Sequence, residues 1–82
     1  MVKFRYVILD DFDNVIEVLL ETQEYNDRLD EKWVEDEFRI LLDLDSKYNF
    51  TDYDNVPNME VHIFKNGEWR YHSNPVEDWF NL

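Results

Sequence analysis

The chain has 82 residues, 20 acidic and 8 basic side chains, a formal net charge of -12 and no cysteine. Its length predicts a single small acidic domain over residues 1–82. Its 44% hydrophobic and 17% aromatic content predicts a packed core, which a disordered acidic tail would lack. The absence of cysteine excludes a disulfide scaffold, a thiolate metal site and a cysteine nucleophile, and it fits a cytoplasmic location.

Membrane and nucleic-acid classes are also disfavoured. No apolar run approaches the ~20 residues of a membrane span, and the first residues do not read as a signal peptide. Nucleic acid and anionic lipid both repel a strongly negative chain. We therefore expect neither as a direct partner, and we expect a basic protein instead.

The negative charge is concentrated in the middle of the chain. Residues 10–54 carry sixteen acids and four bases, whereas the two flanking stretches together sum to zero. The whole excess therefore belongs to one continuous stretch, which makes it a candidate surface.

The first half of the chain predicts a hairpin. Apolar and basic residues alternate over 2–9 with the period of a half-buried strand, and 10–14 carries the Asp and Asn typical of a turn. Residues 15–22 predict a second strand, with Ile16, Val18 and Leu20 on one face. A helix capped by Asp13 is the alternative, but the β-branched residues favour the strand.

A long helix follows, from Asn26 or Asp27 to about Lys47. Its apolar residues recur with a period of 3.6 and predict one broad buried stripe. The members of this stripe are Leu29, Trp33, Val34, Phe38, Ile40, Leu41, Leu44 and Tyr48.

The last part of the chain predicts a second hairpin over 59–73. Its Asn66-Gly67 pair is the sequence that a type I′ turn needs, and this turn sets Phe64 opposite Trp69. A terminal helical turn is expected to begin at Pro75. The order β-β-α-β-β-α predicts an α+β fold in which one long helix packs across an antiparallel sheet of about four strands.

Two segment pairs are spaced about 41 residues apart. The sequence of 11–15 resembles that of 52–56, and 34–38 resembles 76–80 in the same order. A duplicated half is one interpretation. Chance in a chain rich in Asp, Glu and aromatic residues is the other, and the long helix has no equal in the second half.

The sequence gives little support for a metal site or a catalytic site. An EF-hand loop counted from Asp11 would need glycine at position six and glutamate at position twelve, where the chain has Ile16 and Thr22. The two histidines, His62 and His72, fall on opposite faces of the predicted hairpin and cannot share a zinc ion. We therefore predict no catalytic residue, no metal site and no cofactor.

The acidic helix carries the functional prediction. Asp27, Glu31 and Glu35 recur every four residues, about 6 Å apart along the helix axis, and DNA presents a phosphate about every 3.4 Å on each strand. Such a row can imitate part of a phosphate backbone and engage a Lys/Arg groove. The predicted partner-binding residues are Asp10, Asp11, Asp13, Asp27, Asp30, Glu31, Glu35, Asp36, Asp43, Asp52, Tyr53 and Asp54.

In size, charge and element order the chain resembles the small acidic inhibitors made by phages and mobile elements. That class includes anti-CRISPR proteins, anti-restriction proteins and uracil-DNA glycosylase inhibitors, many of which imitate DNA. The resemblance implies a non-enzymatic inhibitor that occupies the nucleic-acid groove of a host nuclease or defence complex in the cytosol. No family motif accompanies it, so it assigns no residue a role.

Three alternatives remain open. The chain can be an immunity protein that neutralises a basic toxin nuclease, because such proteins also need an acidic face. It can be a small acidic interaction domain without mimicry, since a charged helix face ordinarily serves solubility. A small enzyme or metal-binding domain is the third class. The sequence does not indicate an oligomeric state.

Overall fold

A computed structural model describes residues 1–26, 30–48 and 58–75. Its elements are β1 (Lys3–Leu9), β2 (Val15–Glu21), α1 (Asp30–Tyr48), β3 (Met59–Lys65) and β4 (Glu68–Ser73). The predicted α+β class is confirmed, with four antiparallel strands and one long helix between β2 and β3. Residues 15–21 form a strand, as the β-branched residues predicted.

The four strands form one sheet in the order β2-β1-β3-β4, so β2 and β4 are its edges. Phe64 pairs with Trp69 across the second hairpin, as predicted. Its turn places Asn66 at φ 54° and Gly67 at φ 82°. These left-handed values are the backbone that an Asn-Gly pair adopts most readily, which explains why the sequence located this hairpin to the residue.

The core lies between α1 and one face of the sheet. Phe4 of β1 stacks on Trp33 of α1 with ring centroids 4.2 Å apart. The remaining buried residues of this cluster come from the same two layers and from the segment before α1. They are Val2, Tyr6, Tyr25, Ile40, Leu41, Leu44, Met59 and Val61.

The predicted apolar stripe of α1 was too broad. Val34 and Phe38 are each 57% exposed, whereas Trp33 and Leu44 are buried. At 100° per residue, Val34 and Phe38 lie 100° or more around the helix from Trp33, beyond the face that meets the sheet. Leu29 lies outside the described residues.

The prediction that Ile16, Val18 and Leu20 share one face of β2 is wrong, because Leu20 pairs with Tyr6 of the core and Val18 pairs with Val7 on the opposite face. Ile16 and Val18 are 63% and 50% exposed, whereas Leu19 and Leu20 pack against the core. The pairing of β1 with β2 shifts register twice, which leaves Ile16 and Leu19 as extra residues in β2. Such bulges break the strict alternation of faces, and an edge strand has no neighbour on its outer side.

Some of the sequence-based predictions concern residues outside the described ranges. The second copies of the two similar segment pairs, 52–56 and 76–80, lie there, so the duplication stays a hypothesis. The predicted terminal turn extends beyond Pro75 into the same region. Within the described ranges, no helix combines the length and apolar character needed to cross a bilayer.

Candidate acidic binding surface

The structure describes the side chains of half of the predicted partner-binding residues. Asp30 and Glu31 lie in the first turn of α1, but their side chains are outside the description. The residues with described side chains are Asp10, Asp11, Asp13, Glu35, Asp36 and Asp43. Those that lie wholly outside the described ranges are Asp27, Asp52, Tyr53 and Asp54.

Asp10 organises the turn between β1 and β2. Its Oδ1 accepts hydrogen bonds from the backbone N–H groups of Phe12 and Asn14, each at 2.9 Å. The bond from the Asn14 backbone is the largest of the interactions that lower the pKa of Asp10. This Asx-type geometry makes Asp10 a structural residue of the turn, while Asp11 and Asp13 are exposed to solvent.

Asp36 does not lie on the outer face of α1, where the acidic-helix prediction requires it. It is 9% exposed, and its Oδ2 accepts a 3.0 Å hydrogen bond from the Tyr25 hydroxyl. Lys32 Nζ lies 3.3 Å from Oδ1, and Arg39 approaches the same oxygen at 3.9 Å. Burial opposes ionisation, but these partners outweigh it and lower the pKa of Asp36.

The outer face of α1 therefore carries mixed charge in its described part. Glu35 and Asp43 are exposed there, as predicted. Lys32, Arg39 and Lys47 are exposed as well. A phosphate-like row on this helix consequently depends on its first turn and on the residues before it.

The described surface that is most uniformly acidic lies instead on the first turn and on β2. Residues 10–24 contain six acids and no base. Glu17, Glu21 and Glu24 belong to this stretch and are exposed, with Lys3 Nζ 3.4 Å from Glu21 Oε1. These three glutamates do not follow the helical spacing on which the partner-binding residues were predicted. The signal in the sequence that points to them is the stretch of six acids with no base over residues 10–24.

Exposed apolar side chains accompany these acids. Phe12 at the tip of the turn is 85% exposed, and Ile16, Val18 and Val15 follow along β2 with 63%, 50% and 39%. This combined region is called the β2 surface below. Its members are Asp11, Phe12, Asp13, Val15, Ile16, Glu17 and Val18.

The face of the sheet opposite α1 carries a polar chain of contacts. Arg5 donates from two nitrogens to Nδ1 of His62, at 3.2 and 3.1 Å. Because arginine can only donate, His62 Nδ1 accepts, and Nε2 carries the proton that bonds Glu60 Oε1 at 3.0 Å. The Arg5 guanidinium also lies 4.5 Å from the centre of the Trp69 ring.

The second histidine lies on the other side of the sheet. The centroid of the His72 ring lies 4.8 Å from that of Trp33, in an edge-on arrangement, and 5.3 Å from that of Phe4. The two histidines therefore occupy opposite faces, as the hairpin register predicted. The described part of the chain brings together no group of three or more His, Asp or Glu side chains with metal-binding geometry.

One cleft opens between the end of β2 and α1. Its volume is about 280 Å³, near the lower limit of ordinary small-molecule sites. Tyr25 and Asp36 line it together with Thr22, Arg39 and Ile40. Tyr25 and Asp36 bond each other, so the principal buried polar groups of this cleft are already paired.

Comparisons of the chain with protein-family models, curated proteins and solved structures found no match.

Proposed function

We propose that this chain is a non-enzymatic acidic inhibitor that occupies the basic nucleic-acid-binding groove of a host nuclease or defence complex. Such an inhibitor is of the anti-CRISPR or anti-restriction type and acts in the host cytosol. The observation that carries it is the charge of residues 10–24, which contain six acidic residues and no basic residue. Five of these acids are exposed, on the turn, on β2 and on the segment after β2.

The physical support is electrostatic. A net charge of -12 on a small domain costs self-repulsion in the folded state, and a balanced surface would serve solubility equally well. A surface of one sign steers association with a surface of the other sign and rejects nucleic acid. Carboxylates spaced along a turn and a strand offer a Lys/Arg groove the contacts that phosphates ordinarily make.

Competitive capture tests the proposal. The immobilised chain is incubated with a bacterial lysate, and bound proteins are eluted with double-stranded DNA at constant salt. If mimicry operates, DNA elutes nucleic-acid enzymes, because both ligands need the same groove. Proteins retained against excess DNA and against 0.5 M salt (roughly five times the ionic strength that gives a 10 Å Debye length) would contradict the proposal.

A charge-reversed chain is the control for this capture. Asp11→Lys, Glu17→Lys and Glu24→Lys alter three exposed acids without touching the Asp10 cap or the Asp36 cluster. The triple variant is expected to retain its circular dichroism spectrum and to lose the proteins that DNA elutes. Equal recovery by both chains would mean that these acids do not bind the partner.

A further inference from the structure

We propose that the β2 surface is the docking site for one kind of occupant: a segment of a partner protein in which apolar side chains stand between lysines or arginines. This inference rests on the proposed function and deepens it, because it assigns the contact to a named surface and adds an apolar contribution to the electrostatic one.

The exposed apolar residues require a reason. Phe12, Ile16 and Val18 lie within seven consecutive residues, and each is at least half exposed. Apolar side chains at a sheet edge invite aggregation, so edge strands ordinarily carry few of them. Exposed apolar groups surrounded by polar ones are typical of protein interaction sites.

Their position favours a side-chain contact. Val15 and Val18 pair with Leu9 and Val7 and lie on the face of the sheet opposite α1, while Ile16 is the extra residue of a bulge. The two register shifts disturb the row of backbone groups along the outer edge of β2. Regular addition of a strand is therefore disfavoured, and the side chains carry the contact.

The negative charge of the β2 surface favours a basic segment of a partner over a second copy of this chain. Asp11 and Asp13 flank Phe12 in the turn, whereas Glu17 pairs with Ile8 and lies on the α1 side of this edge strand. No base occurs between residues 10 and 24. A second copy of this chain would bring the same acids against each other, and like charges across an interface are repulsive. A segment with Lys or Arg at its borders instead pairs with them, while its apolar side chains cover Phe12 and Ile16 in the dry centre of the contact.

Two synthetic peptides of equal charge test the assignment. The first has twelve residues, half lysine and half leucine, and the second replaces every leucine by serine. Titrations into the ¹⁵N-labelled full chain give the affinity and the affected amides at low and high salt. The leucine peptide is expected to bind about ten-fold more tightly than the serine peptide, with its largest shifts at residues 11–21.

Matched variants locate the apolar contribution. Ile16→Ser with Val18→Ser is expected to lower the affinity for the leucine peptide about ten-fold and to leave that for the serine peptide unchanged. Val34→Ser with Leu42→Ser removes comparably exposed side chains from α1 and is expected to change neither. If a variant does not fold, the amides of the unsubstituted chain that shift on adding the leucine peptide identify the binding site.

The failures are distinguishable. Equal affinity for the two peptides, or shifts centred on α1, would overturn the docking site while salt-sensitive binding still supported an acidic inhibitor. Failure of both peptides to bind in a salt-dependent way would overturn the proposed function itself. Self-association through residues 11–21, measured by sedimentation, would identify the surface as an interface between copies and overturn the proposed occupant.

Discussion

The Tyr25 hydroxyl donates a 3.0 Å hydrogen bond to Oδ2 of Asp36, and both residues are buried. Tyr25 precedes α1, and its backbone pairs with Val2 just before β1. The bond therefore joins three parts of the chain: the segment before α1, the helix itself and the start of the central strand. It also explains why a carboxylate predicted to face a partner is instead a structural residue.

Loss of this hydroxyl is expected to destabilise the fold. Tyr25→Phe leaves a buried carboxylate without one of its donors, which costs about 1.5–3 kcal/mol for a hydrogen bond to a charged group. Urea denaturation measures the free energy of unfolding.

Tyr6→Phe is the matched control for that change. The Tyr6 hydroxyl is buried and makes no hydrogen bond of ordinary geometry among the described residues; its nearest polar contact is a weak one with the Trp33 side chain. Its removal is expected to change the free energy of unfolding by less than about 0.5 kcal/mol or to raise it slightly, because an unpaired buried hydroxyl is itself unfavourable. A larger loss in Tyr6→Phe than in Tyr25→Phe would contradict both assignments.

Stability is expected to fall in acid because of Asp36. Its pKa is lowered in the folded state, so the unfolded chain takes up a proton more readily at this residue. Its contribution is therefore complete above the ordinary aspartate pKa of about 4 and is lost as the pH falls through the lower folded value.

A pair of aspartate variants separates this contribution from that of the turn. The lowered pKa of Asp10 acts in the same direction, so Asp36→Asn is expected to reduce, but not remove, the decrease in unfolding free energy between about pH 5 and pH 2. Asp10→Asn, which removes the carboxylate of the turn whose pKa is also lowered, is expected to reduce the same decrease independently of Asp36. Denaturation at a series of pH values gives both profiles, and identical slopes in the native chain and Asp36→Asn would disprove the role of Asp36.

Gly67→Ala is expected to cost about 1 kcal/mol through the backbone alone. Gly67 has φ 82°, and an added Cβ would meet no atom within 4 Å. The loss therefore reflects the left-handed conformation, which costs a residue with a Cβ about 1–2 kcal/mol.

Asn66→Gly is the control at the neighbouring position. Asn66 has φ 54°, a value that glycine adopts without a steric penalty. The melting temperature is expected to fall in Gly67→Ala and to change little in Asn66→Gly. If Gly67→Ala lowered the free energy of unfolding by several kcal/mol, only a steric clash would explain the loss, and the structure contains none at this position.

Reversal of the acids that the sequence spaces four residues apart tests the other half of the predicted acidic surface. Changing Asp27, Glu31 and Glu35 to Lys is expected to weaken capture of the DNA-eluted proteins, chiefly by slowing association, because charge outside the direct contact acts through steering. Surface plasmon resonance separates the association and dissociation rates. A faster dissociation with an unchanged association rate would indicate that the first turn of α1 contacts the partner directly.

Local patterns were sufficient for most of the fold. The Asn66-Gly67 turn determined the register of the four pairs next to it, since only a few residue pairs adopt that backbone; a register shift follows between His62 and Val61. Alternation over β1 placed Phe4 and Tyr6 on one face, which is the core face, because β3 pairs with β1 without a register shift. These features depend on residues close in sequence.

Exposure at the borders of elements depended on packing that the sequence does not contain. Val34 and Phe38 fit a helical stripe, but the width of the buried face is set by the sheet beneath α1. Ile16 and Val18 fit a strand alternation, but two bulges and an edge position expose them. Asp36 fits the predicted acidic row, but its structural role depends on a hydrogen bond from Tyr25, which belongs to the segment before α1.

The pairing of β1 with β3 constrains the order in which the chain folds. Lys3 lies opposite Phe64, so the central strands of the sheet join residues separated by most of the sequence. β1 and β2 are synthesised before β3, so the second edge of β1 has no partner until the residues of β3 are available to pair with it. Closure over such a distance is slow compared with local pairing. Glu17 and Glu21 of β2 are exposed, and like charges repel, so these acids oppose association of two chains during that interval.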